Sequence, residues 1–112
     1  MSRMCSITIA LSRRDEGWRQ EANTTIQLSI EDAHRLETEQ LTVEYAHHAG
    51  KYWTEYRLPG IGKDGLYRMF DAVGLADRLA GLPEGEWDDM SISVNWYPRT
   101  AAEIREELEN RK

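Results

Sequence analysis

One cysteine, Cys5, stands in 112 residues, so no internal disulfide framework can form. It lies in an alternating apolar stretch, which predicts a buried thiol and not a nucleophile. Long apolar runs are also missing, and with them any helix able to cross a bilayer. The first residues lack a basic segment followed by roughly 7 to 15 apolar residues, so no secretory leader is expected and a reducing, cytoplasmic setting is the default. Basic charge is scarce: 14 Lys and Arg face 20 Asp and Glu, for a net charge of −6. That disfavours direct, non-specific nucleic-acid binding, which Lys and Arg drive against phosphate. Histidine is sparse as well. His47 and His48 are adjacent, and neighbours on a strand point to opposite faces, so they cannot share one ion. His34 lies elsewhere, and neither a metal nor a cofactor is expected. Repeats, low-complexity tracts and linkers are absent, so residues 1–112 are expected to form a single domain.

What the chain does have is alternation. In residues 4–13, Cys5, Ile7, Ile9 and Leu11 share one face of a strand, with Ser6, Thr8, Ala10 and Ser12 on the other. Asp15-Glu16-Gly17 signals a turn. Residues 24–30 alternate again, with Ile26, Leu28 and Ile30 inward, which completes a hairpin. Trp18 falls near the hairpin's tip, where an exposed indole could serve as an interaction anchor; packing back onto the hairpin is the more ordinary fate and the one expected. Ser29 and Asp32 then open a short acidic helix to about Thr38, with Ile30, Ala33 and Leu36 inward.

Residues 41–48 and 52–58 read as a second hairpin turned at Gly50-Lys51. That register sets Tyr45 opposite Tyr56 and Glu44 opposite Arg57, and avoids a like-charge pair of Glu44 with Glu55. Its outer face carries Glu44, His48, Trp53, Glu55 and Arg57. In residues 90–97, Met90, Ile92, Val94 and Trp96 point inward. Thr100 and Glu103 form a capping box for a last, mostly charged helix held by Ile104 and Leu108.

The stretch from 52 to 82 organises the rest. A glycine-rich turn at 59–65 leads into the most apolar helix, where Leu66, Met69, Phe70, Val73, Ala76 and Ala80 share a side. Asp64 is its expected N-cap, and Gly81 followed by Pro83 its stop. Gly74 sits mid-helix and is a candidate break, with Leu75 opening a second piece. The turn contains Gly60-Ile61-Gly62-Lys63-Asp64-Gly65, formally G-x-G-x-x-G. Such glycines let a backbone approach a pyrophosphate at a helix N-terminus. Here a hairpin strand precedes the string and no βαβ repeat follows it, so a plain tight turn is expected.

The order ββαββαβα predicts an α+β domain: a largely antiparallel five-stranded sheet with helices on one face. Its opposite face would show small polar groups and the aromatic rings of Trp53 and Tyr97. No nucleophile–base pair, carboxylate pair or metal cluster has a spacing that assembles a catalytic site. The best catalytic candidate is Glu44, Glu55 and His48 on one hairpin face, and the best small-ligand candidate is the turn at 60–65. Composition favours a third expectation, a non-enzymatic acidic interaction module that binds a basic site on a nucleic-acid-handling protein. Glu84, Glu86, Trp87, Asp88, Asp89, Trp53, Glu31 and Asp32 are its expected contact residues, with Trp87 as anchor; the alternative for Trp87 is that it folds back and caps the end of the central helix. In general character this is similar to immunity proteins for nuclease toxins and to phage anti-defence proteins, including anti-CRISPR proteins. The likeness is one of class, with no shared motif.

Overall fold

A computed structural model describes residues 3–110. β1 (Met4–Asp15) and β2 (Trp18–Ser29) run twelve residues each and pair antiparallel from Met4↔Ser29 to Asp15↔Trp18. Only Glu16 and Gly17 lie between them. Both take positive φ, 48° and 84°, which suits a two-residue hairpin turn to the twist of its strands. β3 (Ala46–Ala49), β4 (Trp53–Leu58) and β5 (Asp89–Asn95) complete a sheet of order β2-β1-β5-β4-β3. Every neighbouring pair is antiparallel. Three α-helices join it: α1 (Ile30–Leu36), α2 (Lys63–Asp71) and α3 (Ala101–Glu109). The α+β architecture and its element order are therefore those the alternation predicts.

One side of the sheet is buried. Ile7, Ile9, Leu11, Leu28, Ile92, Val94 and Trp96 join Leu66, Phe70 and Val73 of the helical layer in one apolar cluster. α1 contributes Ile30, Ala33 and Leu36, and α3 contributes Ala101, Ile104 and Leu108. Both N-caps form as expected. Ser29 Oγ accepts from Asp32 N at 3.1 Å, and Thr100 Oγ1 accepts from Glu103 N at 3.1 Å.

Three local expectations fail, each for a visible reason. The apolar helix does not run to Ala80 in one piece; it breaks at Gly74, the candidate break, and Leu75 opens a short second piece at Ala76–Leu79. The first piece ends where Gly74 adopts φ 74° and Leu75 N–H reaches back to the Phe70 carbonyl at 2.8 Å, a left-handed stop. Leu75 and Leu79, across a 3-10 turn, then fill the core, while Ala80 is exposed. Asp64 is not the N-cap. The helix begins earlier, Leu66 N–H bonds the Gly62 carbonyl at 3.0 Å, and Gly62 caps it without a side chain.

The third failure is the strand at 41–48. α1 instead continues into a π turn (Glu37–Leu41), closed by Thr42 N–H on the Glu37 carbonyl at 2.9 Å. Leu41 thereby extends the buried stripe of α1, and Val43 is left 88 % exposed. β3 starts only at Ala46. Its register pairs Ala46 with Tyr56, bulges, then pairs His48 with Glu55 and Ala49 with Thr54. The turn is thus at Lys51-Tyr52, and neither Tyr45–Tyr56 nor Glu44–Arg57 pairs.

Candidate interaction surfaces

The ladder fixes what lies side by side on the open face of the sheet. One row runs Asn23, Ala10, Ser91, Arg57, and the next runs Thr25, Thr8, Ser93, Glu55, His48. The two central strands carry small side chains and the flanking strands larger ones. Thr8 and Thr25 hydroxyls lie 3.3 Å apart, and Gln27 donates to Ser6 at 2.9 Å. At one end this relief leaves a depression of about 690 Å³ with Ala10, Ser12 and Ser91 on its floor. Arg19 and Glu21 stand on one rim, Glu55 and Arg57 on the other. Each arginine is matched to a carboxylate on its own strand, Arg19–Glu21 at 3.0 Å and Arg57–Glu55 at 3.1 Å. The open face is therefore close to charge-balanced.

Trp53 sits at the other end of that face, 37 % exposed, and stacks on His48 with ring centroids 4.9 Å apart. Tyr97, more exposed, stands edge-on to Tyr52 at 5.3 Å. Trp53 pairs with Asn95, six residues along β5 from Asp89. That separation is roughly 20 Å at strand rise. Glu31 and Asp32 open α1 beyond the Trp53 end, in the helical layer. The expected contact residues thus fall into two groups at opposite ends of the sheet.

The acidic loop is built differently from the solvated, extended segment its charge suggests. Asp88 Oδ2 accepts from Arg14 N at 3.1 Å, while Asp88 N donates to the Ser12 carbonyl at 2.9 Å. Asp89 Oδ1 accepts from Gly60 N at 3.0 Å, which ties the loop to the glycine turn. Two of its carboxylates are therefore structural staples, and Glu84 and Glu86 remain exposed. Trp87 is not a surface anchor. It is 8 % exposed, and the Arg13 guanidinium lies over its ring at 4.7 Å. Arg13 Nη1 also donates to the Glu86 carbonyl at 3.3 Å.

The glycine turn borders a second depression of about 580 Å³ with Glu86 and Asp88 on its far wall. Lys63 Nζ donates to the Pro83 carbonyl at 3.0 Å and so serves the backbone. Carboxylates facing the N-terminus of α2 oppose a phosphate there. The Glu44, Glu55, His48 group is only partly assembled: His48 faces Glu55 in the ladder, whereas Glu44 lies in the 3-10 turn before β3.

Two features depart from the expected reading. Glu37 is a buried carboxylate, 4 % exposed, inside the π turn. It accepts from Tyr56 Oη at 2.7 Å and faces Arg105 Nη2 at 3.6 Å. Burial, and then the hydrogen bond to this carboxylate, push the Tyr56 phenol above its ordinary range. Burial pushes the Cys5 thiol up to about 12, with the Glu37 charge adding to it. Cys5 therefore stays an unreactive thiol at neutral pH. The sequence signal for Glu37 is its place in the stripe Ile30, Ala33, Glu37, Leu41. The second feature is Trp18. It does not pack back on the hairpin and is 77 % exposed. Its signal is that apolar alternation on β1 stops at Leu11, well short of the turn.

These surfaces define an α+β chain with one face sealed by helices and one face open, whose excess of acid is carried by residues 30–110. No protein-family model, curated protein or solved structure matches it. Among the described residues, no helix is long and apolar enough to cross a membrane.

Proposed function

We propose that this chain is a non-enzymatic interaction module, an inhibitor or regulator that docks on a basic site of a nucleic-acid-handling protein. The observation that carries the reading is the partition of charge. Residues 30–110 hold seventeen Asp and Glu against eight Lys and Arg, whereas residues 3–29 hold three against four. An excess of this size on one part of a small protein raises its encounter rate with a basic surface. A docked acidic surface occupies the site that phosphates would use, so inhibition follows from competition. Glu84 and Glu86 are the carboxylates in the loop free to make such a contact, because Asp88 and Asp89 hold the fold together.

The test is affinity capture with the full chain from the cell that encodes it, compared with a Glu84→Gln, Glu86→Gln variant. A basic nucleic-acid-handling protein should be retained by the wild type. Retention should fall about tenfold in the variant and weaken further at about 0.5 M salt, where charges are screened within a few ångströms. Equal retention by both proteins, or a captured partner with no basic site, rejects the reading.

A further inference from the structure

We infer that β2 is the interface for a second copy of this chain. The two β2 strands pair antiparallel about a two-fold axis at Asn23 and join two five-stranded sheets into one. The inference does not depend on the acidic contact proposed above.

The sheet has two edges, built in opposite ways. β3 is blunted: it runs four residues, and its register with β4 shifts at a bulge between Ala46 and His48. Short strands and bulges keep an edge from pairing with another chain. β2 has neither device. It runs twelve residues in unbroken register with β1, contains no proline and no lysine, and lies outermost. The hairpin also fixes which of its backbone groups are spare. A two-residue turn closes on a pair that exchanges hydrogen bonds, here Asp15↔Trp18, and bonded rows then alternate with unbonded ones. The alternation holds to the far end, where Ile30 N donates to the Arg3 carbonyl at 3.1 Å. The N–H and C=O groups of Arg19, Glu21, Asn23, Thr25 and Gln27 therefore point away from β1. All five residues are exposed, and among the described residues no other strand pairs with β2.

The spare groups are symmetric about Asn23, and the side chains fit the same symmetry. A second copy turned about an axis there sets Asn23 against Asn23, Glu21 against Thr25 and Arg19 against Gln27, and pairs every spare group. No like charges fall opposite each other. Arg19 and Glu21 are the only charged residues of β2, and they pair with each other within the strand at 3.0 Å. The two copies' Glu21 carboxylates stand four residues apart along the pair. That is roughly 14 Å, beyond the Debye length of roughly 8 Å at physiological salt. On the helix-covered side, Gln20, Ala22, Thr24 and Ile26 bring no charge. The acid excess of the chain sits in residues 30–110, and β2 carries none of it. An edge without net charge selects no charged partner, whereas its symmetry selects a second copy of itself.

Sedimentation of the full chain from about 1 to 100 μM is the first test, a range that brackets a Kd of about 10 μM. The mass should rise to twice the 13.0 kDa of one chain. Asn23→Lys sets two ammonium groups against each other at the axis and should weaken the dimer about tenfold or more. At low concentration its melting temperature should stay that of the wild type, because the side chain is exposed. Cross-linking then reads the register. Paired residues stand about 5.5 Å apart at Cα, within disulfide reach. Asn23→Cys, oxidised with diamide, should therefore form a covalent dimer about tenfold faster than Arg19→Cys, whose two copies lie eight residues apart. Cys5 is buried and does not compete. Four outcomes overturn the inference: a chain that stays monomeric throughout, a dimer indifferent to Asn23→Lys, equal cross-linking from positions 19 and 23, or, in the cell that encodes the chain, cross-links from position 23 only to another protein.

Discussion

Trp18 and Trp87 occupy nearly the same local sequence, Asp-Glu-Gly-Trp-Arg and Glu-Gly-Glu-Trp-Asp-Asp. Each follows a glycine turn among charged residues. Yet Trp18 is 77 % exposed and Trp87 is 8 % exposed. The difference comes from what stands beside each turn. The loop holding Trp87 runs along the root of the first hairpin, where Arg13 covers the ring and Asp88 bonds the backbone of β1. The turn before Trp18 has outrun the pairing with β5, and the described residues leave its indole exposed. Burial of an aromatic in a charged turn is thus decided by the neighbouring element and not by the turn itself.

The comparison can be broken at several points. Trp87→Ala should have the largest effect, a loss of roughly 3 to 5 kcal/mol by denaturant unfolding, as for large core truncations. Near-wild-type stability would mean that Trp87 is not core. Gly85→Ala tests the left-handed backbone of the loop. Gly85 has φ 103°, and a Cβ there would lie 2.8 Å from Arg13 Nη1. A cost of about 1 to 3 kcal/mol is expected, and a neutral change would show that the loop does not hold this backbone conformation. Arg13→Met removes the cation from the Trp87 face and should cost about 0.5 to 2 kcal/mol. Emission from Trp87 in a single-tryptophan background should shift to the red, and an unmoved spectrum would assign the burial to other neighbours.

Alkali separates the two indoles without mutation. Cys5 and Tyr56 have raised pKa values, so the folded state holds their protons more tightly than the unfolded chain. Stability from this source is complete below the ordinary thiol value of 9.0 and is lost as pH rises towards about 12. Trp87 emission should redden as melting temperatures fall across that window, while emission from Trp18, already 77 % exposed, should hardly move. A Cys5→Ala, Tyr56→Phe variant should lose much of this alkaline slope, and an unchanged slope would place its origin elsewhere. Trp18→Ala should have the smallest effect, within about 0.5 kcal/mol of wild type. A larger loss would show that the tip packs against the body in solution.

Legibility followed the same divide. Alternation in residues 4–11 and 90–96 named every inward side chain of β1 and β5 correctly, because a strand with one buried face must alternate. The caps at Ser29 and Thr100 were equally legible, since a cap is a contact within three residues. The strand expected at 41–48 was not. Its alternation of Leu41, Val43 and Tyr45 competes with a helical spacing running from Ile30 to Leu41. The Tyr56 hydroxyl and the Arg105 guanidinium at Glu37, both from distant elements, mark which spacing the chain follows. The candidate contact residues were legible as types and not as a group, for their adjacency depends on strand order.

The sequence by itself therefore determined the fold class, the element order, the faces of β1, β4 and β5, and the acid excess of residues 30–110. These rest on periodicity, short-range capping and composition, all readable within a few residues. Only the tertiary structure decided that Glu37 is buried, that Asp88 and Asp89 are staples, that Trp87 is covered and that Trp18 is not. Each depends on an element far away in the chain, Tyr56, Arg14, Gly60 or Arg13, being carried to within a few ångströms, or on no such element arriving.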